Sequence, residues 1–209
     1  MTLNNPPDGP TGSVGNSRHS HPHEVFPASR ARHLDSRLRR LLYRPDRIAA
    51  RYVKPGNHVL DFGCGPGFFT REFAKTAGDQ GTVIAADLQK EMLDLLQERL
   101  EPEGLMPRII LHRCAADTLG LSPGWDGRID AAFAIFVVHE VPDAAGLFRE
   151  IASLLVPGGL LFIAEPPFVV SGREFRATLD LAASAGLEKV EDRHYFVNRA
   201  AVFKKSPGI

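Results

Sequence analysis

Val59-Leu60-Asp61-Phe62-Gly63-Cys64-Gly65-Pro66-Gly67 decides how the rest of this chain is read. An apolar run leads straight into three alternating glycines, and an amphipathic stretch follows at once. A buried strand, a sharp turn and a helix satisfy that pattern. Glycine suits the turn because it enters left-handed backbone without steric cost and lets a ligand lie against bare backbone. Such a loop belongs at the C-terminal edge of a sheet, where amide groups at a helix N-terminus face the ligand. A plain glycine turn between a strand and a helix also fits these residues, so the flanking sequence must decide.

Downstream, the next apolar run ends in Ala85-Ala86-Asp87. An acidic side chain about twenty residues beyond such a loop can accept both hydroxyls of a ribose. A helix N-cap or a surface aspartate is the plainer account of Asp87 alone. Loop, strand end and acid taken together imply a nucleoside-containing ligand. The G-x-G-x-x-G spacing of dinucleotide sites needs glycine where Phe68 stands, and no G-K-S/T follows, which disfavours dehydrogenase and nucleotidase readings.

Working outward, short apolar runs alternate with amphipathic ones, the signature of βαβ units around a parallel sheet. The pattern predicts strands over His58–Phe62, Thr82–Ala86, Arg108–Arg113, Asp130–Phe136 and Leu160–Ala164. Helices are predicted over Phe68–Ala77, Lys90–Leu100, Asp143–Leu155 and Arg173–Ala185, with Pro157-Gly158-Gly159 turning the chain into the fifth strand. Leu187–Lys204 reads as a terminal hairpin around Val197-Asn198. Upstream, His33–Tyr52 carries leucines at helical spacing among arginines, and Pro45 divides it into two short helices. Residues 1–27 hold little apolar content and read as a flexible tail, 28–54 as a helical cap and 55–209 as the ligand-binding domain.

At this point the chain resembles class I S-adenosylmethionine-dependent methyltransferases, with its nearest likeness to the ubiquinone/menaquinone-biosynthesis-like group. Asp61–Gly67 resembles their motif I, Ala86-Asp87-Leu88 the acidic motif after it, and Leu155–Leu160 the late motif before the fifth strand. The resemblance implies an α/β, Rossmann-like doubly wound sheet, mostly parallel, of seven strands with a terminal β-hairpin and helices on both faces. It also implies S-adenosylmethionine as cofactor and S-adenosylhomocysteine as its product.

Roles follow by position. Phe62, Gly63, Cys64, Gly65 and Gly67 form the motif I loop, whose glycines would line the methionine and ribose of the donor. Asp61 would hold the donor's amino group directly or through water, Asp87 the ribose hydroxyls, and Leu88 would pack on the adenine. Asp117 would accept from the exocyclic amine and the Ala116 backbone would serve a ring nitrogen, although Asp117 also fits a polar loop residue. Phe136 would line the methionine side. His139 and Glu140 are the candidates for substrate contact or proton removal, with a structural histidine as the rival account of His139. Glu165 faces the same edge and either touches substrate or caps a turn.

Bulk properties narrow the partners. Lys plus Arg and Asp plus Glu both number 25, so no net field draws the chain to nucleic acid. The two cysteines show neither a disulfide nor a metal pattern, and no apolar run is long enough to span a bilayer. The expectation is a cytoplasmic monomer or homodimer that methylates a small molecule, with no metal and no membrane. His19, His21 and His23 alternate as metal ligands can, but read as part of the solvated tail. Three alternatives stay open. Arg37, Arg39, Arg40, Arg44 and Arg47 could grip RNA or a protein, or form the solvated face of a lid carrying Tyr43. A noncatalytic S-adenosylmethionine binder would keep the same motifs. An NAD-binding protein is the weakest rival.

Overall fold

A computed structural model describes residues 43–207 of the chain. The predicted tail, its histidines, the leucine run before Tyr43 and Arg37, Arg39 and Arg40 lie outside the described residues. The elements run α1 (Pro45–Tyr52), β1 (His58–Phe62), α2 (Thr70–Ala77), β2 (Thr82–Asp87), α3 (Lys90–Leu100), β3 (Ile109–Arg113), β4 (Ile129–Ile135), α4 (Ala144–Leu154), β5 (Leu155–Glu165), α5 (Gly172–Ser184), β6 (Leu187–Tyr195) and β7 (Asn198–Lys205). A short 3-10 turn, Val138–Glu140, follows β4.

The seven strands form one sheet in the order β3-β2-β1-β4-β5-β7-β6. The first five are parallel, while β7 runs antiparallel to both β5 and β6. The central strands read as almost continuous apolar runs because both faces are covered. Alternate residues serve opposite faces. Val59, Val83, Phe133 and Phe162 pack with α1, α2 and α3, while Leu60, Ile84, Ala132 and Ile163 pack with α4 and α5. Helices therefore flank both faces, in agreement with the doubly wound fold read from the sequence.

Local chemistry sets the helix ends. Asp143 accepts from the Gly146 N–H at 2.8 Å, and Ser171 and Glu174 form a reciprocal capping box at the start of α5. Pro45 opens α1, and Arg44 before it takes a left-handed φ of 42°. Ile48 and Ala49 of α1 then bury on the same face of the sheet as α2, so this part of the expected cap shares the main core.

Two boundaries differ from expectation by more than one residue. The helix expected from Phe68 begins at Thr70, because residues 66–69 still complete the turn. The strand expected from Leu160 begins at Leu155. Pairing starts with Leu155 opposite Ile129, loops out through 156–159, and resumes with Leu160 opposite Ala131. Pro157-Gly158-Gly159 is therefore an interruption within the strand.

Candidate active site

Strand order reverses at β1, which has β2 on one side and β4 on the other. Connections leave the C-terminal ends of these strands in opposite directions and open a crevice between them. A cavity of about 460 Å³ occupies this edge. Its walls come from the loop after β1, the ends of β2, β3 and β4, the 3-10 turn and the Pro166–Val169 segment after β5.

The glycine loop is bent by its own backbone bonds. Gly63 and Cys64 N–H both donate to the Ala86 carbonyl of β2, at 2.8 and 3.1 Å. Gly63 needs its missing side chain: at φ 70° an added Cβ would stand 2.4 Å from Val137 Cγ2. Gly65, at φ 52°, is different, since nothing lies within 4 Å of where its Cβ would be. That leaves bare backbone against open space, the cradle a ligand requires.

Asp87 stands at the tip of β2 with 8% of its surface exposed. Its two oxygens accept from the Gly65 and Gln89 N–H groups, each at 2.9 Å. Burial raises its pKa, opposed by the backbone donors that hold its charged form. Phe62, Gly63, Cys64, Gly65, Asp87, Leu88, Ala116, Phe136, His139 and Glu140 all line the cavity. Phe136 does so with a left-handed φ of 63°, its N–H donating to the Ala164 carbonyl at 2.8 Å.

Asp61, Gly67 and Asp117, expected at the ligand, do not line it. Asp61 is 2% exposed and accepts from Thr70 Oγ1 at 2.6 Å, which ties one carboxylate oxygen to the start of α2. Burial, with Asp87 nearby, lifts its pKa to about 7 against the Thr70 bond. Gly67 meets α3, where an added Cβ would come within 2.9 Å of Leu96. Asp117 is exposed in the loop after β3.

The sequence reading missed Phe68, Phe69, Gln89 and Met92, which also line the cavity, as does Cys114 of the stretch placed at the adenine. Gln89, the residue before the helix expected at Lys90 and two past the expected ribose acid, could have been flagged by that position; the others carry no signal beyond hydrophobicity. Burial pushes both thiols up, Cys64 well above its usual range and Cys114 to about 11, so both stay protonated at neutral pH and act as small apolar lining. Tyr43 closes one side, its ring 5.6 Å from Phe136 and 5.7 Å from Phe196.

His139 lies on the 3-10 turn beside Glu165, the last residue of β5. Its Nδ1 is 2.7 Å from Glu165 Oε2, and its backbone N–H donates to Oε1 at 3.2 Å. Glu140 Oε1 stands 3.8 Å from His139 Nε2. Burial opposes charge on the ring, but the Glu165 bond and the pull of both carboxylates outweigh it and raise the pKa of His139 above its ordinary value. Among the described residues no cluster of metal-ligating side chains occurs, and no helix is long and apolar enough to cross a membrane.

Residues 59–159 match the family model of a methyltransferase domain. The chain is similar to the demethylmenaquinone methyltransferase of Lactobacillus johnsonii, with 32% identity over 158 residues, covering 72% of this chain and 63% of that one. It is also similar to the ubiquinone/menaquinone biosynthesis C-methyltransferase UbiE of Vibrio campbellii, 33% identical over 113 residues, covering 54% and 42%. The chain thus spans between about two fifths and two thirds of these curated relatives. A solved S-adenosylmethionine-dependent methyltransferase from Aquifex aeolicus shares the fold, with a TM-score of 0.77 at 24% identity, over 87% of this chain and 100% of that one. Residues 59–159 are thus a methyltransferase domain, carried on the fold of a solved S-adenosylmethionine-dependent methyltransferase.

Proposed function

We propose that this protein transfers a methyl group from S-adenosylmethionine to a small-molecule acceptor. The observation that carries the proposal is the pairing of Gly65, bare toward open space, with the Asp87 carboxylate in one cavity. These residues fit the donor. Asp87 takes the ribose hydroxyls, the Gly63–Gly65 backbone faces ribose and methionine, and Phe62 and Cys64 complete the loop. Leu88 packs on the adenine beside the Ala116 backbone, and Phe136 borders the methionine side. Asp61 acts from behind, bracing the loop through Thr70, and Gly67 permits the loop to seat on α3. Asp117 meets the adenine only if its exposed loop folds inward.

When bound, the donor supplies an electrophilic methyl on a sulfonium. The chain's own contribution is placement and exclusion of water by the apolar walls. His139 and Glu140 lie on the stretch of wall left for an acceptor. The apolar lining and the relatives named as ubiquinone/menaquinone C-methyltransferases support a small organic acceptor over RNA or protein.

Calorimetric titration with S-adenosylmethionine, S-adenosylhomocysteine and NAD tests the proposal. Micromolar binding of the two adenosyl ligands, roughly −8 kcal/mol, is expected, with none of NAD. Binding of NAD alone would overturn it.

A further inference from the structure

Glu165 ends β5 with 1% of its surface exposed, and one residue engages both of its oxygens. A buried carboxylate is costly unless it is hydrogen-bonded. Here the backbone N–H and the ring of His139 both grip it. A carboxylate only accepts, so the imidazole nitrogen facing it carries the proton and the lone pair of the neutral ring falls on Nε2. A carboxylate that fixes tautomer and ring orientation is how histidine is prepared to receive a proton in hydrolytic triads.

We infer that Glu165 is a positioning residue that holds His139 as the proton acceptor of methyl transfer, and that the substrate is a small molecule with an acidic O–H, a phenol or an enol. This rests on the methyltransferase reading above. Tyr43, Phe69 and Phe136 line the same cavity and suit a flat apolar acceptor. A histidine ring whose carboxylate partner raises its pKa above the ordinary value matches a phenol or enol far better than an alkanol. A lone pair on the acceptor oxygen forms the bond to the methyl carbon, the methyl–sulfur pair stays on sulfur, and the O–H proton moves to Nε2. The imidazolium is then paired with Glu165 and returns its proton to water.

Carboxylates face the ring from two elements. Glu165 reaches it from β5, and Glu140 from its own 3-10 turn. Arg199, opposite Glu165 on β7, donates instead to the Val170 carbonyl at 2.9 Å. The carboxylates of Glu165 and Glu140 stabilise the imidazolium, consistent with the raised pKa.

The test combines NMR titration of ring nitrogens in the full chain, parent and Glu165→Gln, with a transfer assay on a panel of phenols, enols, amines and thiols. The parent should show His139 with Nδ1 protonated in the neutral form and a midpoint above the ordinary histidine value. Glu165→Gln should lower that midpoint and mix the tautomers. Its kcat should fall roughly 10²-fold or more while donor affinity by calorimetry is unchanged. The parent titration needs no variant, so it stands even if Glu165→Gln fails to fold. A His139 tautomer with Nδ1 unprotonated, or a midpoint that Glu165→Gln leaves in place, overturns the positioning role. Failure to methylate any phenol or enol in the panel overturns the acceptor class. Absence of donor binding sinks the methyltransferase reading instead, and the ring titration still decides the role of Glu165.

Discussion

The carboxylate of Asp87, at the tip of β2, accepts from the backbone N–H of Gly65 at 2.9 Å. One bond joins the acid expected at a ribose to the barest point of the loop after β1. The two halves of the proposed donor site are therefore set relative to each other by the protein's own bonds.

Asp87→Ala removes both the proposed ribose acceptor and this tie. Hydrogen bonds to a charged group contribute about 1.5–3 kcal/mol, so donor affinity should fall roughly 10- to 100-fold. Asp87→Asn keeps one acceptor oxygen and should lie between. Calorimetry with S-adenosylhomocysteine reads the series, and parental affinity in Asp87→Ala would mean that the site is elsewhere.

Two glycines in one loop should respond differently to alanine. At Gly63 the new methyl strikes Val137 at 2.4 Å in left-handed backbone. Overpacking costs about 1–3 kcal/mol and the backbone about 1–2 more. At Gly65 nothing stands within 4 Å, so only the backbone cost applies to stability. Its methyl would instead intrude on the ligand. Urea unfolding should find Gly63→Ala the less stable, and calorimetry should find Gly65→Ala the weaker binder relative to its stability. The reverse order would contradict the loop geometry.

Asp61 gives the protein a pH dependence with a definite sign. Its pKa is 3.8 in an unfolded chain and about 7 when folded. The folded state therefore holds the extra proton between these values. The stability associated with it is fully present below pH 3.8 and lost as pH rises through about 7. Asp61→Asn keeps an acceptor for Thr70 and carries no charge. Its unfolding free energy should exceed the parent's above pH 7 by on the order of a few kcal/mol, with the gap closing toward pH 4. A gap independent of pH would show that desolvation of the charge is not what burial of Asp61 costs.

Phe73 of α2 is fully buried, its ring centroid 4.1 Å from that of Phe133 on β4. Phe73→Ala should cost about 3–5 kcal/mol by chemical denaturation, since the sheet below cannot collapse into the space. A loss under 1 kcal/mol would mean that α2 is not anchored there.

Sequence alone determined the strand–loop–helix unit around Gly63–Gly67, the acid after it, the span Lys90–Leu100 and the closing hairpin. Each is a local matter: hydrophobic period, glycine at a forced turn, or an acid at a strand end. These constraints act within a few residues and leave a trace in the sequence. Tertiary structure alone decided which residues meet. Nothing local to Asp61 names Thr70 as its partner; the two meet once β1 and α2 pack. Leu155 pairs with Ile129 ahead of the Pro157-Gly158-Gly159 interruption because β4 offers it a partner. His139 and Glu165 lie 26 residues apart, and neither sequence context predicts the other. They touch because β4 and β5 run parallel in a register that brings both C-terminal ends to one edge. Register is set by the packing of whole faces, and no short stretch of chain encodes it.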